Sequence, residues 1–75
     1  MKKYEFTGET KSWFGHTLHR IRAMVDIETH GVSAGDMGGW IESESNLSHE
    51  DDAWVCGDAW VCGNAQVYGD ARVCG

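Results

Sequence analysis

A six-residue repeat occupies the last third of this chain and constrains its fold more than any other feature. Asp52-Ala53-Trp54-Val55-Cys56-Gly57 is followed by Asp58-Ala59-Trp60-Val61-Cys62-Gly63, Asn64-Ala65-Gln66-Val67-Tyr68-Gly69 and Asp70-Ala71-Arg72-Val73-Cys74-Gly75. The consensus is Asp/Asn-Ala-x-Val-x-Gly, four times without a gap. A short fixed period dictates architecture, because each unit can bury its apolar position only against its neighbours. This period predicts a β-solenoid. It also sets a problem, since a solenoid normally needs more turns than this chain supplies.

The phase extends upstream. Ile41 and Leu47 are six apart, Leu47 and Val55 are eight apart, and each later Val follows at six. A two-residue insertion near His49–Asp52 reconciles these steps, so we read residues 41–75 as the repeat unit. Residues 1–40 read as its cap. Tyr4 and Phe6 alternate with polar neighbours and predict a short strand, with Gly8-Glu9-Thr10 as a turn. A second strand is expected over residues 17–27. It has His19, Ile21, Ala23, Val25 and Ile27 on one face and Leu18, Arg20, Arg22, Met24 and Asp26 on the other. Trp13, Phe14 and Gly15 fall in the connection of an antiparallel hairpin. Residues 30–39, with Gly31, Gly35, Gly38 and Gly39, read as loop. The expected fold class is all-β: antiparallel N-terminal strands capping a hexapeptide-repeat β-solenoid of under two coils.

The repeat resembles the hexapeptide-repeat family of left-handed parallel β-helices. That family places a small residue four positions after an aliphatic one, as Val55 precedes Ala59, Val61 precedes Ala65 and Val67 precedes Ala71. Gly with Asp or Asn tolerates the positive φ of a corner, and Val suits a stacked strand. The resemblance implies a triangular coil of three hexads, with residues 18 apart stacked at about 4.8 Å. Asp52 then stacks on Asp70, Ala53 on Ala71, Trp54 on Arg72, Val55 on Val73 and Cys56 on Cys74. Trp54 over Arg72 implies a cation–π contact. Cys56 and Cys74 come within disulfide Cα range, but their side chains would run parallel, so the thiols are expected to be free unless oxidised. At this coil size, residues 52–75 supply about 1.3 coils and residues 41–75 nearly two. The strand edges at Gly75 are then unpaired, a liability. We expect the N-terminal strands or a second copy, as a homodimer, to cover them.

Charge divides along the chain. Residues 1–41 carry five acids and five bases. Residues 42–75 carry Glu42, Glu44, Glu50, Asp51, Asp52, Asp58 and Asp70 against Arg72 alone, which gives 7 − 1, the whole net charge of −6. Such a surface disfavours nucleic acid as a direct partner, because that affinity comes from Lys and Arg on phosphates. It favours a basic protein surface. No apolar run reaches the roughly 20 residues of a membrane span, and no signal-peptide pattern is present. Three Cys, an odd number, fit a reducing compartment better than a secreted disulfide framework. A cytoplasmic protein of a bacterial host is expected.

No catalytic, cofactor or metal site is expected. Many hexapeptide-repeat proteins are acyltransferases, but here His49 is the sole His of the repeat half and sits in the irregular insertion. His16 and His19, three apart on a strand, point to opposite faces. Cys at six-residue spacing leave a triangular coil from different sides and cannot converge on one zinc. Phosphate-loop and dinucleotide fingerprints are absent. Trp54 and Trp60 fall at the outward position of the repeat. Beside a line of acids they read as an interaction surface, since Trp is enriched at binding hot spots. The competing reading is that the N-terminal hairpin packs over them.

Lys3-Tyr4-Glu5-Phe6-Thr7-Gly8-Glu9-Thr10 and Gly38-Gly39-Trp40-Ile41-Glu42 extend the likeness to short hexapeptide-repeat proteins of phages and prophages, whose longer relatives are labelled polymer-forming. The leading expectation is a non-enzymatic acidic inhibitor, similar to anti-CRISPR proteins, that occupies a basic nucleic-acid-binding surface of a CRISPR effector or another host defence complex. Its contact residues would be the seven acids with Trp54 and Trp60. The alternative is a self-assembling structural β-solenoid, and an acyltransferase fragment comes third.

Overall fold

The computed structural model describes residues 2–75. Strands β1 (Tyr4–Trp13) and β2 (His16–Ala23) form an antiparallel hairpin. Trp13 faces His16 across a two-residue turn, with Phe14 at φ 43° and Gly15 at φ 84°. Two successive positive φ values match the twist that a hairpin turn requires. Gly8-Glu9-Thr10, expected as a turn, lies inside β1. Phe6 pairs with Ile21 and Thr10 with His19, so β1 spends four residues where β2 spends two. Gly8 at φ 98° absorbs this bulge. β2 ends at Ala23, short of the expected Ile27. Beyond it, Ile27 bridges Val32 around a single 3-10 turn, Glu28–His30.

β3 (Met37–Ile41) adds antiparallel to β2, with Arg20 opposite Trp40 and His19 opposite Ile41. Gly38 and Gly39, expected in a loop, belong to this strand and are buried. A Cβ on Gly39 would stand 2.6 Å from Val55 Cγ1, and one on Gly38 would stand 2.7 Å from both Ile21 Cγ1 and Trp54 Cζ2. The glycines therefore let β3 lie directly against the repeat.

The repeat half forms β4 (Trp54–Cys56), β5 (Trp60–Val61) and β6 (Arg72–Cys74), and all its pairings are parallel. β5 joins β3 through Trp40–Trp60 and Ile41–Val61, which gives a sheet ordered β1-β2-β3-β5. β4 and β6 make a second sheet, with Trp54 on Arg72, Val55 on Val73 and Cys56 on Cys74, the expected partners 18 apart. Leu47 bridges Val67. Ile41–Val61 and Leu47–Val67 are 20 apart because both spans cross the two-residue insertion, whereas Val55–Val73 does not. The described residues contain no α-helix, and the protein is all-β.

Tyr4, Ile21, Ala23, Ile27, Ile41, Leu47, Trp54 and Val55 share one core between the inner face of the larger sheet and the repeat. Cys56 and Cys74 form a disulfide with Cα atoms 4.6 Å apart, the oxidised pair rather than the free thiols expected in its absence. Stacked positions on neighbouring strands share a face, so parallel side chains still bring the two sulfurs together. Cys62 is free.

Candidate functional site

The acidic residues divide into those engaged within the molecule and those facing solvent. Glu42 accepts the Gly63 N–H at 2.7 Å and meets His16 Nδ1 at 2.8 Å. The Gly63 bond, then His16, hold its carboxyl below the usual carboxylate range. Asp51 accepts the Gly69 N–H at 2.6 Å and the Ala53 N–H at 3.3 Å, and it lies 3.8 Å from Lys3 Nζ. The Gly69 bond leads in lowering its pKa. Glu44 meets His49 Nε2 at 2.8 Å and Lys2 at 3.6 Å, and it too is lowered, first by His49. The Lys3 backbone N–H donates to His49 Nδ1, which leaves Nε2 as the ring nitrogen that faces Glu44. Asp52 accepts from Thr29 Oγ1. Glu50, Asp58 and Asp70 are exposed, and none takes part in an ion pair among the described residues.

The expected tryptophan pair divides as well. Trp54 is 1% exposed. It packs against Gly38 and edge-on to Tyr4, within the shared core, so it offers a partner no surface. Trp60 is 38% exposed and packs on Trp13 with ring centroids 4.4 Å apart. The cations on indole faces are Lys11 and Arg20, both over Trp40, at 4.4 and 5.4 Å, rather than Arg72 over Trp54. Leu18, 1% exposed, lies on the same outer face of the larger sheet. That face thus carries a satellite cluster of Trp13, Leu18, Trp40 and Trp60. His16 and His19 do take opposite faces: His16 meets Glu42, and His19 stacks on Phe6.

Two buried polar residues escaped the sequence reading. Lys3, 5% exposed, donates from Nζ to the Ala53 and Asp51 carbonyls. Burial lowers its pKa, against the opposing pull of Asp51 and Asp52. Asn46, fully buried, accepts the N–H groups of Glu42 and Ser43 and donates to the Gly63 and Ala65 carbonyls. The break in periodicity after Leu47 could have flagged Asn46, and no local pattern marks Lys3. Among the described residues no three His, Cys, Asp or Glu side chains are grouped to hold a metal ion, and no helix is long and apolar enough to cross a membrane. No protein-family model and no curated protein sequence matches the chain.

Proposed function

We propose that the protein is a non-enzymatic binding module in which a β-solenoid of under two coils, capped by the N-terminal strands, holds a rigid acidic edge against a basic partner. The three parallel pairings support the coil. Ile41–Val61, Leu47–Val67 and Val55–Val73 are taken as its three sides. The binding role rests on one observation: Glu50, Asp58 and Asp70 are exposed and carry no ion pair among the described residues, on the half that holds the whole net charge. Uncompensated carboxylates on a rigid frame steer and hold basic surfaces. A nucleic-acid-binding surface of a bacterial defence complex, CRISPR effectors included, has the required chemistry. Glu42, Glu44 and Asp51 serve the fold first, and Trp54 drops out of the contact set.

The test is binding to purified nucleic-acid-binding host complexes across a salt series, with the triple variant Glu50→Lys, Asp58→Lys, Asp70→Lys alongside. Affinity should fall steeply with salt and vanish in the variant. Binding that ignores both overturns the reading.

One observation favours a structural second reading. The repeat alanines go from buried at Ala53 and Ala59 to exposed at Ala65 and Ala71, and Val73 is exposed where Val55 is fully buried. Core-type residues facing solvent on free strand edges suit end-to-end stacking of a second copy.

A further inference from the structure

Phe14 is the residue least explained by its own molecule. It is 84% exposed at the tip of the β1–β2 hairpin, and it is the one non-glycine at positive φ among the described residues. A two-residue turn of this kind favours Asn-Gly, Asp-Gly or Gly-Gly, so Phe14 costs backbone energy. In return its ring meets only Trp13, edge-on at 4.4 Å, among the aromatic contacts. Strain kept at an exposed position points to a use outside the fold. Trp13, 42% exposed, and Trp60 extend the apolar tip. Lys11 and Arg20 lie on the same face. Neither has a carboxylate partner, whereas Lys2, Lys3 and Arg22 pair with Glu44, Asp51 and Glu5.

A complementary surface exists at the other end of the hairpin. Where β1 begins and β2 has ended, a cavity of about 370 Å³ opens between Val25 and Ile27 and the Glu50–Asp52 insertion. Asp26, Glu50, Asp51 and Asp52 line it against Lys2 and Lys3, and both lysines are already paired. The volume is within the range of pockets that take small ligands. Ten residues of β1 separate tip from cavity, roughly 30 Å of extended chain, so a molecule cannot fill its own cavity.

We propose that the Phe14 tip of one molecule docks into the Val25–Ile27 cavity of a second copy, with Lys11 and Arg20 set against the Asp26, Glu50 and Asp52 carboxylates. The contact joins two different surfaces, so it propagates head to tail and does not close at two copies. It shares Glu50 with the basic-partner reading, but Phe14 belongs to this proposal alone, so Phe14→Asn separates the failure of one from the failure of the other.

Sedimentation across a concentration series tests it. The average mass of the unmodified protein should rise with concentration and fall with salt. Phe14→Asn installs the favoured Asn-Gly turn, so it should hold or raise the melting temperature while weakening association at least tenfold. Glu50→Lys with Asp52→Lys, which leaves the tip intact, should weaken it similarly. Mixed together, the two monomeric variants should give a one-to-one dimer and nothing larger, because each supplies the surface the other lacks. A concentration-independent mass, association undiminished in Phe14→Asn, or a mixture that stays monomeric each overturns the proposal.

Discussion

At the scale of single residues, buried polar groups carry more of the structure than the exposed acids do. Asn46 satisfies four backbone groups, two in its own turn and two in the hexad beside it. Asn46→Ala leaves those groups unpaired where water is excluded, and each such loss costs about 1–3 kcal/mol. We expect a destabilisation of about 3 kcal/mol or more, read by chemical denaturation. Asp51 sets part of the acid limit. Its folded pKa is lowered, chiefly by the Gly69 N–H, so the folded state holds fewer protons than the unfolded one. Its stabilisation is complete above the ordinary Asp pKa and is lost as pH falls through the lowered value. Glu42 and Glu44 act in the same direction. Asp51→Asn should therefore flatten the fall in melting temperature between neutral pH and about pH 3; an unchanged slope would assign that limit elsewhere. The sequence made the acids visible but not their employment. Asp51 and Asp58 look alike in composition, and only the register that brings Gly69 N–H to Asp51 separates them.

At the scale of elements, periodicity was legible and its interruptions were not. The Val period anticipates the 18-residue pairings, because parallel stacking converts sequence spacing directly into register, and the eight-residue step from Leu47 to Val55 explains the 20-residue ones that the structure adds. Gly8-Glu9-Thr10 was misread since a bulge and a turn use the same residue types, and the length of β2 opposite decides between them. Gly38-Gly39 was misread for a related reason. Glycine marks either a chain reversal or a close approach, and here it marks the approach of β3 to Val55 and Trp54. Gly39→Ala puts a methyl group within 2.6 Å of Val55 Cγ1 and 2.5 Å of the Ala59 carbonyl oxygen. The second neighbour is backbone and cannot rotate away. Overpacking of this kind costs about 1–3 kcal/mol, and the backbone clash favours the upper end. A thermal melt should show a clear loss for Gly39→Ala, whereas alanine at the exposed Gly63 meets nothing within 4 Å and suffers only the strain of φ 65°. Trp54 belongs at this scale too. It was expected on a surface, but the N-terminal strands cover it, and no local pattern announces what another element covers.

For the whole molecule, the two sides of the repeat are unequal. The side toward the N-terminal strands buries Ala53, Trp54 and Val55 at 1% exposure or less. On the other side Ala65, Ala71 and Val73 face solvent, although the repeat has placed the same residue types there, and Arg72 stands where the buried side has Trp54. A substitution on this side separates a surface from a core. If Val73 only completes the ladder to Val55, Val73→Asp should leave folding nearly intact, because Val73 is 37% exposed and exposed changes usually stay within about 0.5 kcal/mol. If the same side stacks on a second copy, a carboxylate there is desolvated without a partner, a cost far larger than a lost contact. The expected result combines the two: a melting temperature close to that of the unmodified protein when dilute, and loss of any association that survives Phe14→Asn. Light scattering on Val73→Asp, Phe14→Asn and their combination reads this out. Association removed by Phe14→Asn alone assigns self-contact to the hairpin tip, and association removed only by the combination means both surfaces are used. A large drop in melting temperature for dilute Val73→Asp would instead show that this side belongs to the core of the single molecule, and end-to-end stacking would lose its footing.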